Sequence, residues 1–141
     1  MTAERRSFPA RTQVLPEVSA FVERRCAELG VDRHATLRLL LVAEELFINA
    51  AVHGYGARTG EVTLTVRDAD AEIELIAEDA ARAFDPFKDL RQPEAPADPR
   101  DAALGGLGRA LIAGISSRHR YERRDRHNRV TVGVLKRREA G

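Results

Sequence analysis

The sequence predicts an α+β two-layer sandwich, a mixed and mostly antiparallel sheet with helices on one face, and three observations carry that prediction. Residues 62–66, 73–77 and 130–134 alternate apolar and polar, as half-covered strands do. Leu37 to Tyr55 is apolar on almost every side and has no Gly or Pro before Gly54, so it reads as a helix buried over most of its circumference. The elements come in the order strand, two helices, hairpin, long loop, helix, hairpin, which one sheet with helices on a single face accommodates.

The elements follow from local chemistry. Arg6 to Val14 carries a short alternation with Pro9, which predicts an edge strand. Pro16 opens a helix whose stripe is Val18, Phe21, Val22, Cys26 and Leu29, and Gly30 ends it. Asp32 caps the next helix, which runs through the central segment to Gly54. Gly54, Gly56 and Gly60 then loosen the chain before the hairpin of Val62, Leu64, Val66 and Ile73, Leu75, Ala77, with its turn at Asp68 to Ala71. Ala80 to Asp101 holds Pro86, Pro93, Pro96 and Pro99 and few apolar residues after Phe87, the composition of a long surface loop or lid. Leu104 to Ile115 is a glycine-rich turn entering a helix, and the last hairpin ends in Val130, Val132 and Val134.

Length and composition bound the function. At 141 residues the chain is expected to be one domain, with a lid at about 86–104. Its 23 basic and 22 acidic residues nearly cancel, so the total charge says nothing about nucleic acid. Arg118, Arg120, Arg123, Arg124, Arg126 and Arg129 crowd one segment, but Glu122 and Asp125 dilute them and no reader motif accompanies them. That segment reads as a solvated or partner-facing surface. The single cysteine, Cys26, excludes an internal disulfide and a cysteine-based zinc site. No apolar run is long enough to span a membrane, and a cytoplasmic location is the expectation.

Within the central helix Glu44 and Glu45 have no Lys or Arg between Arg38 and Arg58 to compensate them. One of the pair pointing to solvent is the ordinary arrangement; a ligand is the alternative. Glu45 and Asn49 are four residues apart and so share a helix face, as a general base and a neutral metal-ligating oxygen would. Asp79 ends a strand before Ala80 and Ala81, where its carboxylate would cap a turn or accept from an exocyclic amine. Gly105-Gly106-Leu107-Gly108 precedes a helix, a common arrangement whose amides also suit a phosphate.

Together, and in this order, these features carry a resemblance. EELFINAAVHGYG resembles the N-box of the GHKL ATPases, AEDAARAFDPF the box that follows it, and GGLGRALI the last glycine box. Chain length, the triplet Phe84 to Pro86 and the ending NRVTVGVLKR narrow the resemblance to the anti-sigma-factor serine kinases of bacterial partner-switching systems. The resemblance implies a Bergerat-type fold that binds ATP with Mg2+ between the central helix and a lid. It makes Glu45 the catalytic base, Asn49 the magnesium ligand and Asp79, with Ala81 beside it, the adenine-recognition corner. Gly106, Leu107 and Gly108 would approach the phosphates, and Thr131 would support the adenine end. Expected partners are a STAS-type anti-anti-sigma protein, which accepts the phosphoryl group on serine, and a sigma factor; a homodimer is also implied.

Two departures qualify the match. Ala81 stands where the adenine box usually has glycine, and a methyl there would crowd the base or forbid a positive φ. Arg109 replaces a commonly apolar residue and either faces solvent or reaches a phosphate. Arg100, in the lid, is a candidate γ-phosphate contact. An active kinase is the first reading; a nucleotide-independent anti-sigma binding module of the same fold is the alternative.

Overall fold

The computed structural model describes residues 3–88 and 106–137. Its five strands form one sheet in the order β1-β2-β3-β5-β4, from β1 (Ala3–Pro9), β2 (Glu61–Ala69), β3 (Glu72–Asp79), β4 (Arg118–Arg124) and β5 (His127–Leu135). All four pairings are antiparallel, so the described sheet is not mixed. Helices α1 (Leu15–Glu28), α2 (Arg33–Ile48) and α3 (Gly106–Ile115) supply the second layer. The predicted α+β sandwich is the observed one.

Local chemistry sets the element ends. Pro9 closes β1 on the sheet edge, and the chain then makes a 3-10 turn at Thr12–Val14 in place of the longer strand predicted to Val14. Pro16 occupies the first turn of α1, where no intrahelical N–H is needed. The Asp32 side chain caps α2 by accepting from Ala35 N–H at 2.8 Å. The β2–β3 turn puts Asp70 at φ 63°, and Asp68 Oδ1 accepts its N–H. Between β4 and β5 the two turn residues Asp125 and Arg126 both have positive φ, the hand that matches strand twist.

Phe8, Val62, Leu64, Val66, Ile73, Leu75, Val132 and Val134 line the helix-facing side of the sheet. Against them pack Val18, Phe21 and Val22 of α1, Leu39, Val42 and Phe47 of α2, and Ile112 of α3. Each is fully or almost fully buried, a contribution of about 1.5–3 kcal/mol per side chain. Cys26 is buried in the same core, and burial pushes its thiol up to about 11.

The central helix differs from expectation in one respect. It is α-helical only to Ile48; Asn49–Tyr55 continues it with π-helical turns, and Gly56 at φ 61° ends it, its N–H bonded to Ala51 O at 3.1 Å. Such wide turns shift the side-chain phase, and they occur often at functional sites. The expected lid at 86–104 falls mostly on residues 89–105, outside the described residues, as does Arg100.

Candidate functional site

The α-to-π junction places the polar residues of the central helix. Glu44 points to solvent, whereas Glu45 is half-buried and Asn49 is 3 % exposed. Glu45 Oε2 and both amide atoms of Asn49 are buried with no hydrogen-bond partner among the described residues. Orphaned buried polar atoms cost about 1–3 kcal/mol each, so three of them in one patch call for a ligand. Burial raises the Glu45 carboxyl above its ordinary value, with the Glu44 charge adding to the rise; His53 and Arg109 pull it back.

Helix α3 closes on this patch from the other side. A Cβ on Gly108 would come closer than 3.0 Å to the carboxyl carbon and both oxygens of Glu45. Only glycine therefore lets the α3 backbone meet that carboxylate as it stands. The helix begins at Gly106, so Gly106 and Leu107 belong to its first turn and not to a preceding loop.

A second cluster forms at the end of β3. Asp79 Oδ1 accepts from Ala81 N–H at 3.0 Å and from Asn128 Nδ2 at 2.9 Å. Asn128, 3 % exposed, also donates to Arg82 O at 2.8 Å and accepts from Tyr121 Oη at 2.6 Å and Arg123 at 2.9 Å. Tyr55 Oη accepts from Ala80 N–H and donates to Glu61 O, each at 2.9 Å, tying the same turn to the end of the π segment. The turn is therefore held by side chains from three directions.

Between the two clusters lies a cleft bordered by Leu46, Asn49, Ala50, Asp79, Phe84 and Pro86, with a cavity of about 20 Å³. Phe84 stacks on His53 at 5.9 Å between centroids, and the Arg109 guanidinium lies over the Phe84 ring at 5.6 Å. Pro86 is buried. Phe84 and Pro86 form the loop side of the cleft wall, and the rest of the wall comes from the central helix, β3 and β5.

The structure thus brings Glu45 to Gly108, and Asn49 and Asp79 to one cleft. Ala81 lies in the Asp79 turn without positive φ, and its methyl points at Gly54, where an added Cβ would meet it at 2.9 Å. The space is shared by one methyl between the two positions. Thr131 is not brought in: it pairs with Ile76 and Arg120 on the sheet face opposite the helices. Its neighbours Val130 and Val132 are the inward residues. Asn128, in the inward phase of the same strand, stands beside Asp79 instead, and a polar residue in phase with Val130, Val132 and Val134 was the signal for it. Phe84, His53 and Tyr55 gave no comparable signal. Among the crowded arginines, Arg118 pairs with Glu72 and Glu74, Arg120 with Glu122, and Arg123 donates to Ala81 O. Half of that segment is engaged within the fold.

The donor set suits a hard cation that keeps phosphate and water ligands. No group of three or more His, Cys, Asp or Glu among the described residues could hold a metal alone, but Asn49 offers a buried, unpartnered amide oxygen.

The sequence profile of the histidine kinase-like ATPase domain matches residues 8–134. The chain belongs to that family. Its described fold and the ATPase-domain assignment agree, since the helix that bears Glu45 and Asn49 faces the glycine-rich α3 within the matched span. No curated protein matches the chain. Among solved structures, the crystal structure of the RsbU and RsbW domains of Rv1364c from Mycobacterium tuberculosis matches with a TM-score of 0.66 at 14% identity, over 96% of this chain and 32% of that one. The chain thus spans about a third of that solved chain's length, and the likeness is one of fold. No helix among the described residues is long and apolar enough to cross a membrane.

Proposed function

We propose that the protein binds Mg-ATP and transfers its γ-phosphoryl group to a serine of a STAS-type anti-anti-sigma protein, and that it also sequesters a sigma factor. The observation that carries this reading is the orphaned set of Glu45 Oε2 and the Asn49 amide, facing a helix whose Gly108 backbone abuts the same carboxylate. The neutral Asn49 oxygen suits a hard cation, and such a cation would bring a polyphosphate with it. Asn49 would hold Mg2+, which would neutralise phosphate charge; Asp79, its orientation fixed by Asn128, would accept from the adenine amine; Gly106, Leu107 and Gly108 would bring backbone amides toward the phosphates.

The chemistry of the step is simple. Glu45 takes the serine hydroxyl proton as the oxygen attacks the γ-phosphorus, and the bond to the β-phosphate oxygen breaks to leave ADP and phosphoserine. Burial raises the Glu45 pKa, which is the direction that makes the carboxylate a stronger base. The fold shared with the RsbW-bearing protein supports partner switching as the setting; Thr131, on the far sheet face, has no part in this scheme. A homodimer through β1 and α1 is consistent with that setting.

The test is phosphoryl transfer from labelled ATP to a purified STAS-type protein by wild type and Glu45→Ala. Loss of label in the variant is expected, and equal rates would remove Glu45 from the role. One observation favours the second reading, a binding module that works without nucleotide: the cleft has only about 20 Å³ free. Under that reading sigma-factor binding is unchanged by ATP, ADP or magnesium.

A further inference from the structure

We propose that Arg109 is the cation that binds the terminal phosphate of the nucleotide, and that Phe84 stores it over a purine cleft which Phe84 and Pro86 keep shut. This rests on the reading of the cleft as an Mg-ATP site and names a residue that reading leaves unused.

Position is the first argument. Arg109 follows Gly108, the residue whose backbone abuts the Glu45 carboxylate, and the Arg109 charge acts on Glu45. A phosphoryl group within reach of Glu45 is therefore within reach of the next side chain on α3. The Glu45 carboxyl already has the Glu44 charge near it, and a polyphosphate adds negative charge; a guanidinium at that place offsets it.

Storage is the second. The Arg109 guanidinium rests on the face of Phe84, a contact weaker than a charge-assisted bond to phosphate. On its other contact Phe84 stacks with His53, whose carbonyl accepts from Arg82 Nε at 2.7 Å. The ring is thus pinned between the end of the central helix and α3.

Volume is the third. A cavity of about 20 Å³ holds roughly one water, whereas small-molecule pockets run to about 300 Å³ or more. A purine between Asn49 and Asp79 needs more room than this, and Phe84 and Pro86 are the two wall residues outside the helix and strand framework whose departure provides it. When Phe84 leaves, Arg109 loses its resting place in the same movement. Opening the base cleft and releasing the phosphate-binding cation are one event.

The experiment is calorimetric titration of the full chain with Mg-ATP and Mg-ADP, for wild type, Phe84→Ala, Arg109→Gln and Arg109→Lys. Phe84→Ala is expected to tighten ATP and ADP binding by a similar factor of several-fold, because it opens the cleft without touching the phosphates. Arg109→Gln is expected to cut the preference for ATP over ADP by about tenfold or more, with Lys restoring part of it. A purely structural Arg109 would shift both nucleotides together and leave that ratio alone. Wild-type binding with an unchanged ATP-to-ADP ratio in Arg109→Gln overturns the assignment of Arg109 while the nucleotide reading stands. Binding of both nucleotides weakened or unaltered by Phe84→Ala overturns the storage role. No binding by wild type and Phe84→Ala, both folded, overturns the nucleotide reading and this inference with it.

Discussion

Gly108→Ala separates catalysis from stability at a single methyl. The added Cβ would sit within 3.0 Å of Cδ, Oε1 and Oε2 of Glu45, where separations of about 3.5 Å are needed, so the carboxylate has to retreat by roughly 1 Å. What moves is the far end of a flexible side chain, and alanine is the better helix former by up to about 1 kcal/mol, so the folded protein should lose no stability. A base displaced by about 1 Å, however, costs on the order of a hundredfold in rate. The assay is single-turnover phosphoryl transfer at saturating Mg-ATP, alongside thermal unfolding. The expected result is kcat down about a hundredfold with an unchanged or slightly raised Tm. In a Glu45→Ala background the same methyl should have almost no further effect, because the group it displaces is gone. Wild-type kcat in Gly108→Ala, or an equal rate loss in both backgrounds, would refute the claim that Gly108 acts through Glu45.

Further outcomes follow from the same geometry. In the proposed role Glu45 must be ionised to act as base, and burial raises its pKa, so kcat/KM should fall on acidification through a limb above the ordinary carboxylate range; Glu44→Gln should move that limb to lower pH. Asn49→Leu removes two unpartnered buried amide atoms and should leave the nucleotide-free protein more stable by about 1–3 kcal/mol in denaturant titrations, while abolishing magnesium-dependent ATP binding. Tyr55→Phe removes the bonds to Ala80 N–H and Glu61 O, both on exposed residues that water can reach, and should cost about 0.5–1.5 kcal/mol in thermal unfolding. Ala81→Gly removes a methyl that packs on Gly54 and not on the cleft, so it should lower Tm slightly and change ATP affinity less than about threefold, which titration calorimetry would read.

The fold was legible because its signals are periodic. Alternation at Val62, Leu64, Val66 and at Ile73, Leu75 put the correct faces inward, and Asp32 and Pro16 marked helix starts that the structure keeps. The same periodicity placed Glu45 and Asn49 together, since four residues on an α-helix make about one turn. It did not show the π turns after Ile48, because their hydrogen bonds depend on packing around Asn49 and Tyr55 and not on local propensity. The glycines at 106 and 108 read as a turn from composition, yet they begin a helix, where Gly108 is needed for contact with Glu45 and not for its dihedral freedom. Assigning Thr131 to the adenine end ignored the strand phase: with Val130 and Val132 inward, Thr131 faces out and Asn128 faces in. The closure by Phe84 and Pro86 joins residues from three segments and has no sequence period to reveal it.

In the proposed function Asn49, Glu45 and Asp79 surround a site for Mg-ATP. Titration calorimetry of the wild-type protein and Asn49→Ala with ATP, with and without magnesium, tests it most directly. Saturable binding that requires magnesium in the wild type and disappears in folded Asn49→Ala is the predicted result. Binding of equal strength in both proteins, or none in a folded wild type, would contradict it.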